Sequence, residues 1–133
     1  MQVASRAAVA EFHDVVLESG YVFEQLHIAY ETYGQLNAEK SNAVLIEHAL
    51  TGDPHVSSGV ANPAAAESPR SFAPGWWEEV VGPGRAIDTN EFFVVCANAI
   101  GGCNGSTGPT SPSADGLAHG SRFPDVSIRD MAA

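Results

Sequence analysis

Two apolar runs, each followed by a polar loop that contains glycine, constrain the fold of this chain more than any other feature. Residues 43–46 read Ala-Val-Leu-Ile and precede the loop 48–52. Residues 92–97 read Phe-Phe-Val-Val-Cys-Ala and precede the glycine-rich loop 101–109. Consecutive apolar positions are typical of a central strand covered on both faces. Because an open α/β sheet binds ligands at the carboxyl ends of its strands, both loops are predicted to border a site.

The flanking segments predict a hairpin before these strands and a helix between them. Residues 12–17 are mostly apolar, Ser19 and Gly20 offer a turn, and apolar and polar residues alternate over 26–31. Period-two alternation around a turn indicates an antiparallel β-hairpin. Residues 75–82 are predicted to form a short helix whose two tryptophans pack onto the sheet.

Two longer connections and one helix start complete the pattern. Residues 53–74 are predicted to be an irregular surface insertion, and residues 100–125 to be a long loop that is either functional or disordered. Ser127-Ile128-Arg129-Asp130 resembles a capping box, which predicts a helix beginning there. A helix of about one turn cannot cover a sheet face, so we expect residues 1–133 to be the N-terminal portion of a domain that continues.

Composition narrows the classes of function. The 133 residues are 44% hydrophobic and 17% charged, which suits a single globular domain. Sixteen acidic residues against six basic ones give a net charge of -10, which disfavours nucleic-acid and membrane-surface partners. Because the chain shows no secretory signal and no apolar run long enough to span a bilayer, a cytoplasmic protein is expected. Cys96 and Cys103 are expected to be free thiols.

The loop after residue 46 is a candidate oxyanion-binding turn. Backbone N–H groups in such a turn can be aimed at negative charge that develops during a reaction. Leu50 occupies the position from which an α/β-hydrolase donates the second N–H of its oxyanion hole. An ordinary strand-to-loop turn explains the same residues without any catalytic role.

The glycine-rich loop allows a phosphate cradle or a substrate-binding wall. No P-loop lysine follows it, and Pro109 and Pro112 stand where a phosphate-binding helix would begin. A wall of a substrate pocket is therefore preferred. Its predicted members are Asn98, Gly101, Gly102, Asn104, Ser106 and Thr107.

Metal and nucleophile chemistry have weaker signals. His48, Asp53 and His55 match no common zinc spacing, so no metal site is expected. Cys103 is predicted to be a small residue packed in a tight loop rather than a nucleophile. Nowhere does the sequence contain the Gly-x-Ser-x-Gly elbow that presents a catalytic serine.

Six blocks together resemble the homoserine O-acetyltransferase family of the α/β-hydrolase superfamily. The resemblance runs from about residue 12 to residue 133, and the combination is far more specific than any single block. The blocks are residues 48–52, 74–77, 81–84 with 86–89, 93–98, 101–109, and 123–124 with 127–130.

The resemblance implies a fold and a reaction. The fold would be the N-terminal part of an α/β-hydrolase, with an initial antiparallel hairpin followed by parallel central strands with crossover helices, truncated before the nucleophile elbow. The reaction would be ping-pong transfer of an acetyl group from acetyl-CoA, a co-substrate, to the hydroxyl of L-homoserine in methionine biosynthesis. No bound cofactor is implied, and the full-length family is usually homodimeric.

The resemblance carries over only part of the catalytic machinery. It implies that Leu50 supplies an oxyanion N–H and that residues 101–109 form pocket wall, whereas the Ser/Asp/His triad would lie beyond residue 133, so this segment alone is expected to be inactive. A succinyl donor, a serine acceptor, a hydrolase of the same fold and a non-catalytic small-ligand-binding module remain alternatives.

Overall fold

The computed structural model describes residues 6–49, 51–59 and 74–133. Its strands are β1 (Arg6–Val16), β2 (Val22–Tyr33), β3 (Ala43–Ile46), β4 (Val81–Gly82), β5 (Ile87–Asp88) and β6 (Phe93–Ala97). A short 3-10 helix (Gly120–Arg122) and one α-helix, α1 (Ile128–Ala132), follow.

The main sheet has four strands in the order β1-β2-β6-β3. β1 and β2 form the predicted antiparallel hairpin, with Phe12 opposite Leu26. β6 runs antiparallel to β2 and parallel to β3, so that Ile46 lies opposite Cys96. The hairpin and both central strands are therefore confirmed, and β3 and β6 end at the same edge of the sheet.

Two apolar clusters pack on this sheet. One covers the β2-β6-β3 region and includes six buried residues: Tyr33, Ile46, Val56, Val81, Val94 and Cys96. The other covers the hairpin turn and includes Leu17, Phe23, Leu26 and Ile100. Burying an aliphatic or aromatic side chain of this size stabilises a fold by about 1.5–3 kcal/mol, so each cluster contributes substantially to the order of its end of the sheet.

The predicted helix over residues 75–82 is wrong. The segment forms hydrogen-bonded turns and then enters β4, which pairs with β5 in parallel. Gly82 at the end of the segment and Pro83 directly after it leave too few residues for a stable helix, because glycine and proline both disfavour helical continuation. The part of the connection between β3 and β6 that the structure describes thus contains no crossover helix.

The two tryptophans also differ from expectation. Trp76 and Trp77 are 45% and 41% exposed, and their rings stack with centroids 5.5 Å apart. The side chains that occupy the space over the sheet are those of Val56 and Val81, which are fully buried. The indole N–H of Trp76 donates instead to the carbonyl oxygen of Asp53 at 3.0 Å.

The capping box at the start of α1 is confirmed. Ser127 Oγ accepts from the Asp130 N–H at 3.1 Å, and the Asp130 carboxylate accepts from the Ser127 N–H at 2.8 Å. The same carboxylate accepts the Glu18 N–H at 2.8 Å, which ties α1 to the hairpin turn. These hydrogen bonds hold the pKa of Asp130 below its usual range, with the Ser127 N–H as the largest cause. None of the helices in the described ranges is long and apolar enough to cross a membrane.

Candidate active-site rim

The loops that follow β3 and β6 lie side by side at one edge of the sheet. We call residues 47–59 the first rim loop and residues 98–109 the second rim loop. The Ala99 N–H of the second loop donates to His48 Nε2 of the first at 3.4 Å. Parallel neighbouring strands bring their carboxyl ends together in this way, so the two loops border one common region. Leu50, the candidate oxyanion donor, lies outside the described residues.

The first rim loop is fixed by the Tyr33 hydroxyl at the end of β2. Tyr33 is fully buried, and its oxygen accepts the N–H groups of Val56 at 2.9 Å and Ser57 at 3.3 Å. The hydroxyl donates to Glu31 Oε2 at 2.7 Å. Burial, reinforced by the Glu31 carboxylate, raises the pKa of Tyr33 well above its usual value. The phenol therefore stays neutral and keeps its donor.

Glu31 also contacts a histidine of this loop. His55 Nδ1 lies 2.9 Å from Glu31 Oε2, and both side chains are mostly buried. The main-chain N–H of His55 donates to Asp53 Oδ1 at 2.8 Å, and this hydrogen bond closes a turn within the loop. One carboxylate oxygen of β2 thus binds both Tyr33 and His55, and the loop lies against the strand through polar contacts.

A second carboxylate, that of Glu78, holds the far end of the first rim loop. It accepts the Ser58 N–H at 2.6 Å, the Ser58 hydroxyl at 2.7 Å and the Gly75 N–H at 2.9 Å. Burial alone would raise the pKa of Glu78, but these hydrogen bonds and the nearby Arg85 guanidinium outweigh it, so the pKa is lowered. Glu78 therefore acts as an ionised acceptor for loop N–H groups.

The second rim loop is attached to β2 by its own hydroxyls. Ser106 Oγ accepts the Ala29 N–H at 3.0 Å and donates to the Asn98 carbonyl at 2.8 Å. Thr107 Oγ1 accepts the His27 N–H at 2.9 Å. Ser106 and Thr107, predicted as pocket-wall contacts, are both buried, and their hydroxyls bind main-chain groups of the protein.

Asn98 and Gly102 pack against each other inside this loop. Asn98 is 2% exposed, and within the described residues neither atom of its side-chain amide has a hydrogen-bond partner. A Cβ on Gly102 would lie 2.9 Å from both of those amide atoms and from the Ala99 carbonyl. Glycine is thus required at 102 by close approach. Asn104, by contrast, is exposed at the loop surface.

A depression of about 260 Å³ lies between the second rim loop and the segment that leads to α1. Gly101 and Gly102, both predicted as pocket wall, line it. The complete lining is Ala99, Ile100, Gly101, Gly102, Phe123, Pro124, Asp125 and Val126.

The two thiols lie in opposite environments. Cys96 is buried in β6, and burial together with nearby carboxylates raises its pKa to about 12. A thiol with that pKa is not a nucleophile at neutral pH. Cys103 is exposed, so the prediction that it packs in a tight loop is wrong. Its loop is anchored through Ser106 and Thr107, and the tip that carries Cys103 projects into solvent.

His48, Asp53 and His55 do not converge on a metal. Among the residues that the structure describes, no group of three or more His, Cys, Asp and Glu side chains is placed to hold an ion. The sequence reasoning missed Tyr33, Glu31 and Glu78 as anchors of the first rim loop. For two of them a signal existed, because Glu31 and Tyr33 are two residues apart on a strand and so share one face.

Comparison with known proteins agrees with this geometry. No family model matches the chain. The chain is 52% identical over 114 residues to a homoserine O-acetyltransferase of Thermobifida fusca, which covers 86% of the chain and 28% of that relative. It spans about a quarter of the length of the curated relatives it matches.

Solved structures give the same fold. Superposition on a homoserine O-acetyltransferase from Bacillus anthracis gives a TM-score of 0.81 at 29% identity, covering 98% of this chain and 35% of the other. Superposition on esterase E22 gives a TM-score of 0.79 at 34% identity, covering 96% and 34%.

The strand order and the two loops at one sheet edge, together with these structural neighbours, define the class. The chain adopts the N-terminal part of the α/β-hydrolase fold. Within that class it is a homologue of the homoserine O-acetyltransferases, as the six sequence blocks predicted.

Proposed function

We propose that this chain forms the N-terminal part of a homoserine O-acetyltransferase that transfers an acetyl group from acetyl-CoA to the hydroxyl of L-homoserine. The observation that carries the proposal is 52% identity to a curated enzyme of that name over 114 residues, a stretch that includes both rim loops. We further propose a cytoplasmic role in methionine biosynthesis and a homodimeric full-length enzyme.

The proposed mechanism divides the work between this chain and the rest of the polypeptide. A serine beyond residue 133 attacks the thioester carbonyl, and coenzyme A leaves as the thiol; the homoserine hydroxyl then takes the acetyl group and regenerates the serine. The Leu50 N–H is assigned to the oxyanion hole and the second rim loop to the pocket wall. Without the triad, residues 1–133 alone are proposed to be inactive.

Two potential nucleophiles that are buried beside the rim are held in their protonated forms. The buried thiol of Cys96 is protonated at neutral pH, and the Tyr33 phenol is held neutral, so neither competes as a nucleophile. No bound cofactor is needed, because the acyl group arrives on acetyl-CoA as a co-substrate.

The experiment uses the full-length polypeptide that contains this chain. It is incubated with acetyl-CoA, with and without L-homoserine, while free thiol is titrated and the amino-acid product is identified by mass spectrometry. Thiol release beyond one equivalent per enzyme that requires homoserine and yields O-acetylhomoserine supports the proposal, because the first half-reaction by itself releases a single equivalent. Parallel reactions with succinyl-CoA and with L-serine identify the donor and acceptor.

An esterase is the second candidate, because esterase E22 shares the fold at 34% identity. In that case alcohol would be released from simple acetyl esters, or thiol from acetyl-CoA, at a rate that does not depend on homoserine. Binding of a small ligand with no turnover of either substrate would instead support the non-catalytic binding module.

A further inference from the structure

His48 stands where the two rim loops meet. Its ring is partly buried between its own loop and Ala99, the second residue after β6. Nδ1 lies 2.6 Å from the Ala49 carbonyl oxygen, and Nε2 lies 3.4 Å from the Ala99 nitrogen. In the part of the chain that the structure describes, this imidazole is the direct side-chain link between the loops.

The chemistry of these two contacts selects one form of the ring. A carbonyl oxygen can only accept, so Nδ1 must carry a proton to bind Ala49. A backbone N–H can only donate, so Nε2 must be unprotonated to bind Ala99. Only the neutral tautomer with hydrogen on Nδ1 makes both hydrogen bonds, whereas the other neutral tautomer makes neither and the imidazolium loses the bond to Ala99.

The partners of His48 differ in how firmly they are held. Asn98, next to Ala99, donates its N–H to the Ala29 carbonyl at 2.7 Å and accepts the Ser106 hydroxyl at 2.8 Å. The Ala99 side of the link is therefore anchored to the sheet. The turn after β3 lies against the imidazole. The Gly52 N–H donates to the Ala49 carbonyl at 2.7 Å, and a Cβ on Gly52 would lie 3.2 Å from His48 Nδ1.

We propose that His48 is a positioning residue that sets the place of the first rim loop relative to the second. The neutral ring, with its proton on Nδ1, connects the turn after β3 to the residues that follow β6, which are themselves anchored to the sheet. The inference rests on the proposed function, because that function assigns an oxyanion-hole N–H to the first rim loop. Misplacing a catalytic group by about 1 Å costs on the order of 100-fold in rate.

The kinetic test compares three variants of the full-length polypeptide. His48→Phe keeps a ring and removes both hydrogen bonds, His48→Gln places a carbonyl oxygen near the position of Nε2, and His13→Phe is a matched control on the exposed outer strand. We expect kcat for acyl transfer to fall by about 10- to 100-fold in His48→Phe with little change in KM for the acyl donor, and to recover partly in His48→Gln. Unchanged kcat in His48→Phe would overturn the inference, as would loss of activity equal in both His48 variants.

A second measurement does not depend on activity. Correlation of the ring nitrogens and carbons of ¹⁵N-histidine-labelled protein by NMR reports which nitrogen carries hydrogen. A protonated Nδ1 and a bare Nε2 for His48 at neutral pH support the inference, and the opposite tautomer or an imidazolium overturns it. If the wild-type polypeptide does not acetylate homoserine, the proposed function fails while the NMR result still decides the state of His48.

Discussion

The two rim loops lie at the same edge of the sheet, but the main-chain N–H groups of the first loop and the hydroxyl side chains of the second loop are held in opposite ways. The first rim loop presents its main-chain N–H groups to side chains from elsewhere, namely the hydroxyl of Tyr33 and the carboxylate of Glu78. The second rim loop carries the anchoring side chains itself, since Ser106 and Thr107 reach out to main-chain N–H groups of β2. Neighbouring loops of one site therefore depend on different parts of the sequence.

This difference has consequences for robustness. Buried main-chain N–H groups that lose an acceptor keep the full cost of desolvation, so the first loop is vulnerable to changes far from it in the chain. The second loop is vulnerable chiefly to changes within residues 98–109. In the full-length polypeptide, changes to the two loops should therefore have separable effects, which decrease in size from Gly75→Ala to the protonation of Glu78.

Gly75→Ala should cause the largest loss of stability. A Cβ there would lie 2.0–2.1 Å from main-chain atoms of Val56 and Ser57, which cannot move without breaking the Tyr33 contacts. We expect the free energy of unfolding to fall by about 4 kcal/mol in chemical denaturation. Gly84→Ala is the control, because that Cβ meets open space and only the positive φ of +71° opposes it, at about 1 kcal/mol. Equal effects would show that the first loop does not pack on residue 75.

Tyr33→Phe should be the next most harmful change. It removes the acceptor of two buried N–H groups in the first rim loop and the hydroxyl bound to Glu31. The change leaves the Ser57 N–H unpaired, leaves the Val56 N–H with only the Pro54 carbonyl at 3.0 Å, and removes a donor from Glu31. The combined cost is expected to be about 3 kcal/mol. Hydrogen exchange should show faster exchange of the Val56 and Ser57 amides and no change in the second loop. Tyr30→Phe serves as the control, because the Tyr30 hydroxyl makes no hydrogen bond within the described ranges.

Ser106→Ala tests the opposite arrangement. The change leaves the Ala29 N–H and the Asn98 carbonyl without this partner, and we expect a loss of about 2 kcal/mol by denaturant unfolding. Exchange should accelerate at Ala29 and within the second rim loop, while the Val56 amide stays protected. Ser121→Ala, at an exposed position, should change stability by less than about 0.5 kcal/mol. Loss of protection in both loops would mean that they are anchored as one unit.

Acid should loosen the first rim loop before the second. Because the folded-state pKa of Glu78 is lowered, its contribution to stability is present above the unfolded value of 4.5 and is lost as pH falls through the folded pKa. The effect is expected to be under about 1 kcal/mol, since the carboxylate is partly screened by water. Amide exchange of Ser58 and Gly75, followed through this pH range, checks it. Glu78→Gln should remove the pH dependence, and an identical acid response of the Thr107 amide would contradict it.

The sequence predicted those parts of the fold that depend on short-range patterns. The runs at 43–46 and 92–97 became β3 and β6 within a residue, and the alternation before them became the hairpin. The capping box at Ser127 formed as expected, because its two hydrogen bonds join residues three apart. The six blocks also predicted the similarity to homoserine O-acetyltransferases that the comparisons confirm.

The errors arose where neighbours in space are distant in the chain. Residues 75–82 formed turns and β4 because Val81 pairs with Ile87 and packs among residues of β2, β3 and β6. The tryptophan side chains do not pack on the sheet, because the buried side chains of Val56 and Val81 fill that space. The sequence of residues 75–82 by itself contains no information about these distant packing partners.

By itself, the sequence determined that two buried strands would end in polar loops, since apolar periodicity and glycine act over a few residues. Only the tertiary structure decided how those loops are held. The Ser106 hydroxyl binds the Ala29 N–H of β2, 77 residues away in the chain. The Tyr33 hydroxyl binds the Val56 N–H, 23 residues away. Such contacts exist only after the sheet has brought the partners together, because each depends on the strand order β1-β2-β6-β3.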